Sequence, residues 1–399
     1  MFESILSAII IAFIIIALSF WFMGWRWESR LVRPKAKGFR PLVSIIIPAY
    51  KSEKTIEDTI KSAKKVSYKP KEIIVVNDSK DRTPEICKKL GVKLIQNKRR
   101  VGKAAALNNA VKKSRGEILF FLDADTTIES DALKKIVPWF TIKDIGAVSP
   151  KYIAKKSKSI ISRLASIENN FNSSLFKAHM FFGSMITIRG CGVAIRRSVF
   201  NDVGGWSKTL IEDVDMAAKI LKAGYKIQYE PYAIVKTKEP ETIAELKNQR
   251  TRWGKGTAYS LINHHSMYSK NKQLLIHFVP YIFLTFAIIG TFLWQIYIFI
   301  PIILIYLLFS YSLTTLEILM IFIIQIIYWI FMAVITGAIS HLTIITWKER
   351  ESRSESILLI PYVLFYSPLV LFLYIKGMIS GFSYRRYSKK ELDLRDWKC

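Results

Sequence analysis

From Leu42 to Leu122 the chain alternates short apolar runs with segments of mixed polarity. Val43 to Pro48 is apolar and closed by proline, and Glu72 to Asp78, Val92 to Gln96 and Glu117 to Leu122 repeat the pattern. Between them Thr55 to Val66, Pro84 to Leu90 and Gly102 to Ser114 read as helices. Continuous apolar strands spaced by helices predict a mostly parallel α/β sheet with helices on both faces. Such sheets take ligands beyond the carboxyl ends of their strands. The loops that matter therefore begin at Pro48, Asn77, Gln96 and Asp123.

The pattern then changes. Ile160, Ile161, Leu164, Ile167, Phe171 and Leu175 recur at helical spacing, with Lys158, Arg163 and Lys177 between them. Two readings stand: a helix lying on a membrane surface, or one packed on the core. Four longer stretches are apolar enough to cross a bilayer. Ser4 to Trp25 contains no charge, Leu274 to Leu316 is long enough for two passes, and Ile318 to Trp347 and Ser356 to Ile375 are one pass each. The expected organisation is an N-terminal transmembrane helix at 4–25, a catalytic domain at 41–256 and an interfacial segment at 257–273. About four transmembrane helices at 274–378 and a basic tail at 379–399 follow.

Charge orients this plan. Arg26, Arg30, Arg33, Lys35, Lys37 and Arg40 follow the first span, which predicts a retained anchor with its C-terminal side in the cytoplasm. An even number of further spans returns the tail, with Arg385, Arg386, Lys389 and Lys390, to the same side. The expectation is a multi-pass cell-membrane protein with a cytoplasmic catalytic domain. The net charge of +28 calls for anionic neighbours. Much of it sits beside the spans, where anionic lipid accounts for it. No nucleic-acid module or aromatic-basic repeat appears, so no nucleic-acid partner is expected. Cys87, Cys191 and Cys399 are far apart and lack the spacing of a zinc site or disulfide framework.

Several residues carry candidate chemistry. Asp123 and Asp125 follow a strand directly and, at positions i and i+2, face the same side, where a divalent cation bridging a diphosphate could sit. Asp78 ends the second strand. Gly102-Lys103 opens a helix, an arrangement suited to phosphate, although the glycine spacing is not that of a P-loop. Glu212, Asp213 and Asp215 crowd the start of a helix expected at Met216 to Ala223. Gln249-Arg250-Thr251-Arg252-Trp253 combines guanidinium groups that neutralise phosphate with an indole that stacks on sugars. Each has a bland alternative: a capped turn, a solvated helix start or an interfacial anchor.

Their order resembles the motif series of family 2 inverting glycosyltransferases: Pro48-Ala49-Tyr50, Asp78, Gly102-Lys103, Asp123-Ala-Asp125, Gly204-Gly205-Trp206, Glu212-Asp213 and Gln249 to Trp253. With the apolar C-terminal half, the chain is similar to the membrane branch that includes hyaluronan, cellulose and poly-N-acetylglucosamine synthases. The resemblance implies a GT-A nucleotide-diphospho-sugar transferase fold. It implies that Pro48, Ala49, Tyr50 and Asp78 surround the nucleoside, that Lys103 and Asp123 contact the nucleotide, and that Asp125 with Asp123 takes Mg2+ or Mn2+. Asp213 would be the catalytic base, with Glu212 and Arg252 beside it. Gln249 and Trp253 would flank diphosphate and acceptor, and Gly190, Cys191 and Gly192 would border the acceptor path. Where the family often has Asn-Glu after the tyrosine, this chain has Lys51-Ser52. The implied partners are a nucleotide-sugar donor, UDP-GlcNAc or UDP-glucose foremost, a carbohydrate or glycolipid acceptor, and the bilayer. The implied product is a growing β-linked polysaccharide. The alternatives are single-sugar transfer to a lipid acceptor and an inactive anionic-lipid binder.

Overall fold

The computed structural model describes residues 22–265, 323, 358 and 361–383. Its centre is an eight-stranded sheet. The first half is built from β1 (Val43–Ala49), α1 (Ile56–Lys65), β2 (Lys71–Asn77), α2 (Thr83–Lys89), β3 (Lys93–Gln96), α3 (Lys103–Lys112) and β4 (Ile118–Leu122). β3, β2, β1 and β4 lie side by side and parallel, as the apolar runs predict. Alternate residues feed opposite faces. Ile45, Ile47, Phe120 and Leu122 join one core with α1 and α2, while Ile46, Leu119 and Phe121 join the other with α3. A fully buried aliphatic side chain of this kind stabilises the fold by roughly 1.5–3 kcal/mol. Pro48 is tolerated because the β1–β4 pairing runs only from Val43↔Ile118 to Ile46↔Phe121, so its missing N–H lies past that ladder.

The second half is mixed. It comprises β5 (Thr127–Ile128), α4 (Ala132–Ile136), β6 (Ile145–Ala154), α5 (Ile160–Phe181), β7 (Gly192–Arg196), α6 (Arg197–Asp202), α7 (Glu212–Lys222), β8 (Lys226–Thr237) and α8 (Ile243–Asn263). The sheet order is β3-β2-β1-β4-β7-β6-β8-β5. β7 runs antiparallel to both β4 and β6, β6 and β8 are parallel, and β5 is antiparallel to β8. The expectation of a mostly parallel sheet thus holds for the first four strands and is corrected for the rest. A direct β4 to β7 pairing places Gly192 beside Leu122, so the chain ahead of β7 reaches the same sheet edge as Asp123.

α5 is packed: Leu164, Ala165, Ile167, Leu175 and Phe176 are buried, against β6 and β8 on one side and the C-terminal segment on another. Of the two readings of this helix the core-packed one describes these residues. The C-terminal segment has a π-helical turn, Tyr362–Tyr366, followed by α9 (Ser367–Ser383). α9 lies along α8 at backbone contact distance. A Cβ on Gly254 would collide with the Tyr374 carbonyl, and one on Gly377 with the Thr251 carbonyl. Only glycine permits this approach.

The N-terminal segment is tied back onto the domain. Arg33 forks onto the fully buried Glu230 at 2.7 and 2.8 Å, and Lys177 reaches Glu28 at 3.1 Å. Among the described residues no helix is long and apolar enough to cross a membrane. The span expected at 274–316, nearly all of that at 318–347, most of 4–25, and most of the 379–399 tail lie outside the described residues.

Candidate active site

The strand ends are stitched together by backbone first. The Asp78 N–H donates to the Ala49 carbonyl, and the Asn97 N–H to that of Asn77. Asp78 then organises the next loop. Its Oδ2 accepts from the Val101 and Gly102 amides at 3.0 and 2.9 Å, and its Oδ1 from Asn97 Nδ2 at 2.6 Å. Gly102 adopts φ +86°, a conformation that a Cβ would strain, and this turn points Lys103 inward from the start of α3. Tyr50, at the end of β1, is 40% exposed, and the Arg100 guanidinium lies 4.1 Å from its ring centroid. Lys51 and Glu53, which follow Tyr50, donate their backbone N–H groups to Ser79 and Asp81. Glu53 Oε2 in turn accepts from the Arg82 amide. These residues brace two loops against each other.

The chemistry concentrates where the sheet halves meet. Lys103 Nζ lies 2.8 Å from Asp123 Oδ1 and 2.9 Å from Glu212 Oε1. Asp213, next in the chain, accepts from the Gly190 amide at Oδ2 and from its neighbour Val214 at Oδ1, both at 2.8 Å. The three acids of this stretch lie within the first turn of α7, which begins at Glu212 rather than at Met216. A helix N-terminus favours them, but burial does not. Desolvation pushes Asp123 up to about 6, opposed by Lys103 and aided by repulsion from Asp125. Desolvation and the Glu212 charge also raise Asp213 above the ordinary aspartate range. Glu212 is desolvated too, yet the Lys103 ammonium outweighs this and holds it low. Burial disfavours the Lys103 charge, but Asp123 and Glu212 overcome it and raise this ammonium well above its usual value.

Carboxylates therefore outnumber cations here, with Lys103 alone bridging Asp123 and Glu212. Among the described residues no group of three or more His, Cys, Asp or Glu side chains forms a metal cage. Asp123 and Asp125 are nonetheless close enough to repel. Two hard oxygen donors with surplus negative charge suit a cation of the Mg2+ or Mn2+ type completed by a ligand's phosphates.

Gly190, Cys191 and Gly192 form the wall between the halves: Gly190 donates to Asp213, and the Cys191 carbonyl accepts from the Asp123 amide at 3.4 Å. Arg252 on α8 donates to the Leu210 carbonyl at 3.5 Å, and its charge is felt at Glu212. Gln249 and Trp253 instead contact Arg250. Its guanidinium donates to Gln249 Oε1 at 2.9 Å and lies 4.1 Å from the Trp253 ring centroid. Arg250 also pairs with Glu168 at 2.6 Å and donates to the Tyr366 hydroxyl at 3.2 Å. Sequence reasoning singled out neither Glu168 nor Tyr366. They stand 82 and 116 residues from Arg250, and no local spacing connects them.

Residues 44–204 match the family described as "Glycosyl transferase family 2". The chain is 31% identical over 252 residues to a poly-beta-1,6-N-acetyl-D-glucosamine synthase of Staphylococcus epidermidis, covering 60% of each. It is 34% identical over 263 residues to "Probable glycosyltransferase YdaM" of Bacillus subtilis, covering 62% of each. The matched stretch thus spans about three fifths of the length of these relatives. Among solved structures, a mannosyltransferase of Pyrobaculum calidifontis, in complex with GDP-Man and Mn2+, superposes with a TM-score of 0.59 at 19% identity. That superposition covers 97% of this chain and all of the other. A likeness at that identity establishes the shared GT-A-like fold.

Proposed function

We propose, from the match of residues 44–204 to the family 2 glycosyl transferases, that the protein is a membrane-bound inverting glycosyltransferase that extends a β-linked polysaccharide from a nucleotide-sugar donor. One observation carries the reading: Lys103 joins Asp123 and Glu212 across the two halves of the sheet at 2.8 and 2.9 Å, and Asp213, next to Glu212, is held by the Gly190 amide at 2.8 Å. The poly-beta-1,6-N-acetyl-D-glucosamine synthases among the relatives support a polymer product built from N-acetylglucosamine, for which UDP-GlcNAc is the first donor to test. UDP-glucose is the second donor to test.

In this mechanism the donor's nucleoside rests on the strand ends of β1 and β2, beside Pro48, Ala49, Tyr50 and Asp78. Its diphosphate faces Lys103. Asp123 and Asp125 would hold a Mg2+ or Mn2+ ion, which supplies charge neutralisation to the diphosphate. Asp213, its pKa raised by burial and by Glu212, accepts the proton of an acceptor hydroxyl. That oxygen forms a bond to the anomeric carbon as the bond to the diphosphate oxygen breaks. The nucleoside diphosphate leaves with the electron pair, and Lys103 and Arg252 stabilise its charge. A single displacement inverts the anomeric centre. Gly190 to Gly192 and Trp253 line the acceptor side, and Gln249 lies beside the diphosphate.

Membrane attachment is proposed from the long apolar stretches of the sequence. Phe365, Phe372 and Ile379, spaced by seven along the C-terminal segment and 62–71% exposed, support an apolar surrounding. The cytoplasmic side is proposed from the basic residues that follow the first stretch.

The test uses the full chain in membranes or detergent with Mn2+ or Mg2+ and labelled UDP-GlcNAc, UDP-glucose and GDP-mannose. A ladder of products from one donor is expected. A single-sugar product on lipid would replace the polymer reading, and no transfer from any donor would end the enzyme reading. Asp213→Asn is expected to lower transfer by about 10²–10⁴-fold with folding intact. Full activity in that variant would remove Asp213 from its role.

A further inference from the structure

Arg250 lies inside the Gln249 to Trp253 segment and is the most heavily engaged side chain there. It is 2% exposed. One terminal nitrogen donates to Glu168 Oε2 at 2.6 Å and to the Tyr366 hydroxyl at 3.2 Å. The Tyr366 hydroxyl itself donates to the same Glu168 oxygen at 2.9 Å, closing a triangle. The other terminal nitrogen donates to Gln249 Oε1, and the guanidinium plane covers the Trp253 ring. Three elements meet in this one group: α5 through Glu168, α8, and the π-helical turn through Tyr366.

A buried charge of this kind costs desolvation energy unless its partners are in place. A planar fork with fixed partners cannot slide, so the groups it touches inherit its position. Here those groups are Gln249 and Trp253. π-Helical turns redirect side chains and recur at functional sites. This one delivers the Tyr366 hydroxyl into the triangle.

We propose that Arg250 is a positioning residue, clamped by Glu168 and Tyr366, that fixes Gln249 and the Trp253 indole, the latter on the acceptor side of the site. The consequence for acceptor kinetics rests on the transferase reading. The clamp itself does not, and the experiment separates the two.

The full chain is labelled with 5-fluorotryptophan, which marks its ten tryptophans, and the Trp253 resonance is assigned from Trp253→Phe. Tyr366→Phe, Glu168→Gln and Arg250→Lys are then compared, with melting temperature as the check on folding. The expected result is a shifted or broadened Trp253 signal in all three, with the other resonances unmoved. With an acceptor present, Tyr366→Phe is expected to raise the acceptor KM roughly 3- to 10-fold, more than it raises the donor KM, while kcat stays within about twofold. A Trp253 signal unmoved by Tyr366→Phe and Glu168→Gln overturns the clamp. So does a fall in kcat with equal changes in both KM values. If the wild type transfers no sugar, the transferase reading fails, and the fluorine spectrum still decides whether the triangle holds Trp253.

Discussion

At the scale of single residues the site is governed by an imbalance of charge. Asp123 has an ordinary pKa of 3.8 and is pushed to about 6 in the folded protein, burial being the main cause. Between those values the folded state binds more protons than the unfolded one. Its contribution to stability is therefore full below pH 3.8 and lost as the pH rises through about 6. Asp123→Asn removes that dependence. Thermal melts between pH 4 and pH 6.5 are expected to slope less steeply in the variant than in the wild type, and parallel curves would refute this. Asp213 is also raised. As a base it works only when ionised, so the transfer rate is expected to fall on acidification through a pKa above the usual aspartate range. A pH–rate profile whose acid limb lies at or below 3.8 would contradict this. The residues of this cluster were legible in the sequence because each sits beside a recognisable strand end or helix start. The Glu168–Arg250–Tyr366 triangle was not, because only the folded chain brings those three positions together.

At the scale of elements, legibility followed the regularity of the pattern. β1, β2 and β4 are continuous apolar runs, and their boundaries agree with the sequence reading to within a residue or so. The later strands break that pattern. β6 contains Pro150 and Lys151 and shifts register there, and β8 carries Pro231 among charged residues. Strand direction was also hidden: β7 is antiparallel because of where α5 delivers the chain, not because of anything local to Gly192–Arg196. The α8–α9 contact follows a different rule, set by the smallness of Gly254 and Gly377. Gly254→Ala drives a methyl group into backbone, which neither helix can yield without separating. A loss of about 1–3 kcal/mol is expected, read as a lower denaturation midpoint. An unchanged midpoint would show that the helices are not in such close contact in solution.

At the scale of the whole molecule, distant parts of the chain converge on the domain core. The N-terminal segment is anchored by Arg33 on Glu230, a carboxylate that also accepts from Trp139 Nε1 and the Tyr232 amide. Arg33→Ala strips a buried acid of its only cation among the contacts described, and is expected to destabilise the domain on the order of 3 kcal/mol. Arg33→Lys should recover part of this, and denaturant melts that do not distinguish the three proteins would refute it. The C-terminal segment converges by another route, along α8. This helix is 21 residues long, a rigid beam of about 30 Å. Its middle is wedged against α9, and Gln249 projects about 7.5 Å from that fulcrum at Gly254. A tilt of about 5° would swing Gln249 by roughly 0.7 Å, and displacements near 1 Å at a reacting centre change rates by about 10²-fold. Mechanically, α8 is a beam pivoted on α9, so whatever shifts α9 is passed along it to Gln249.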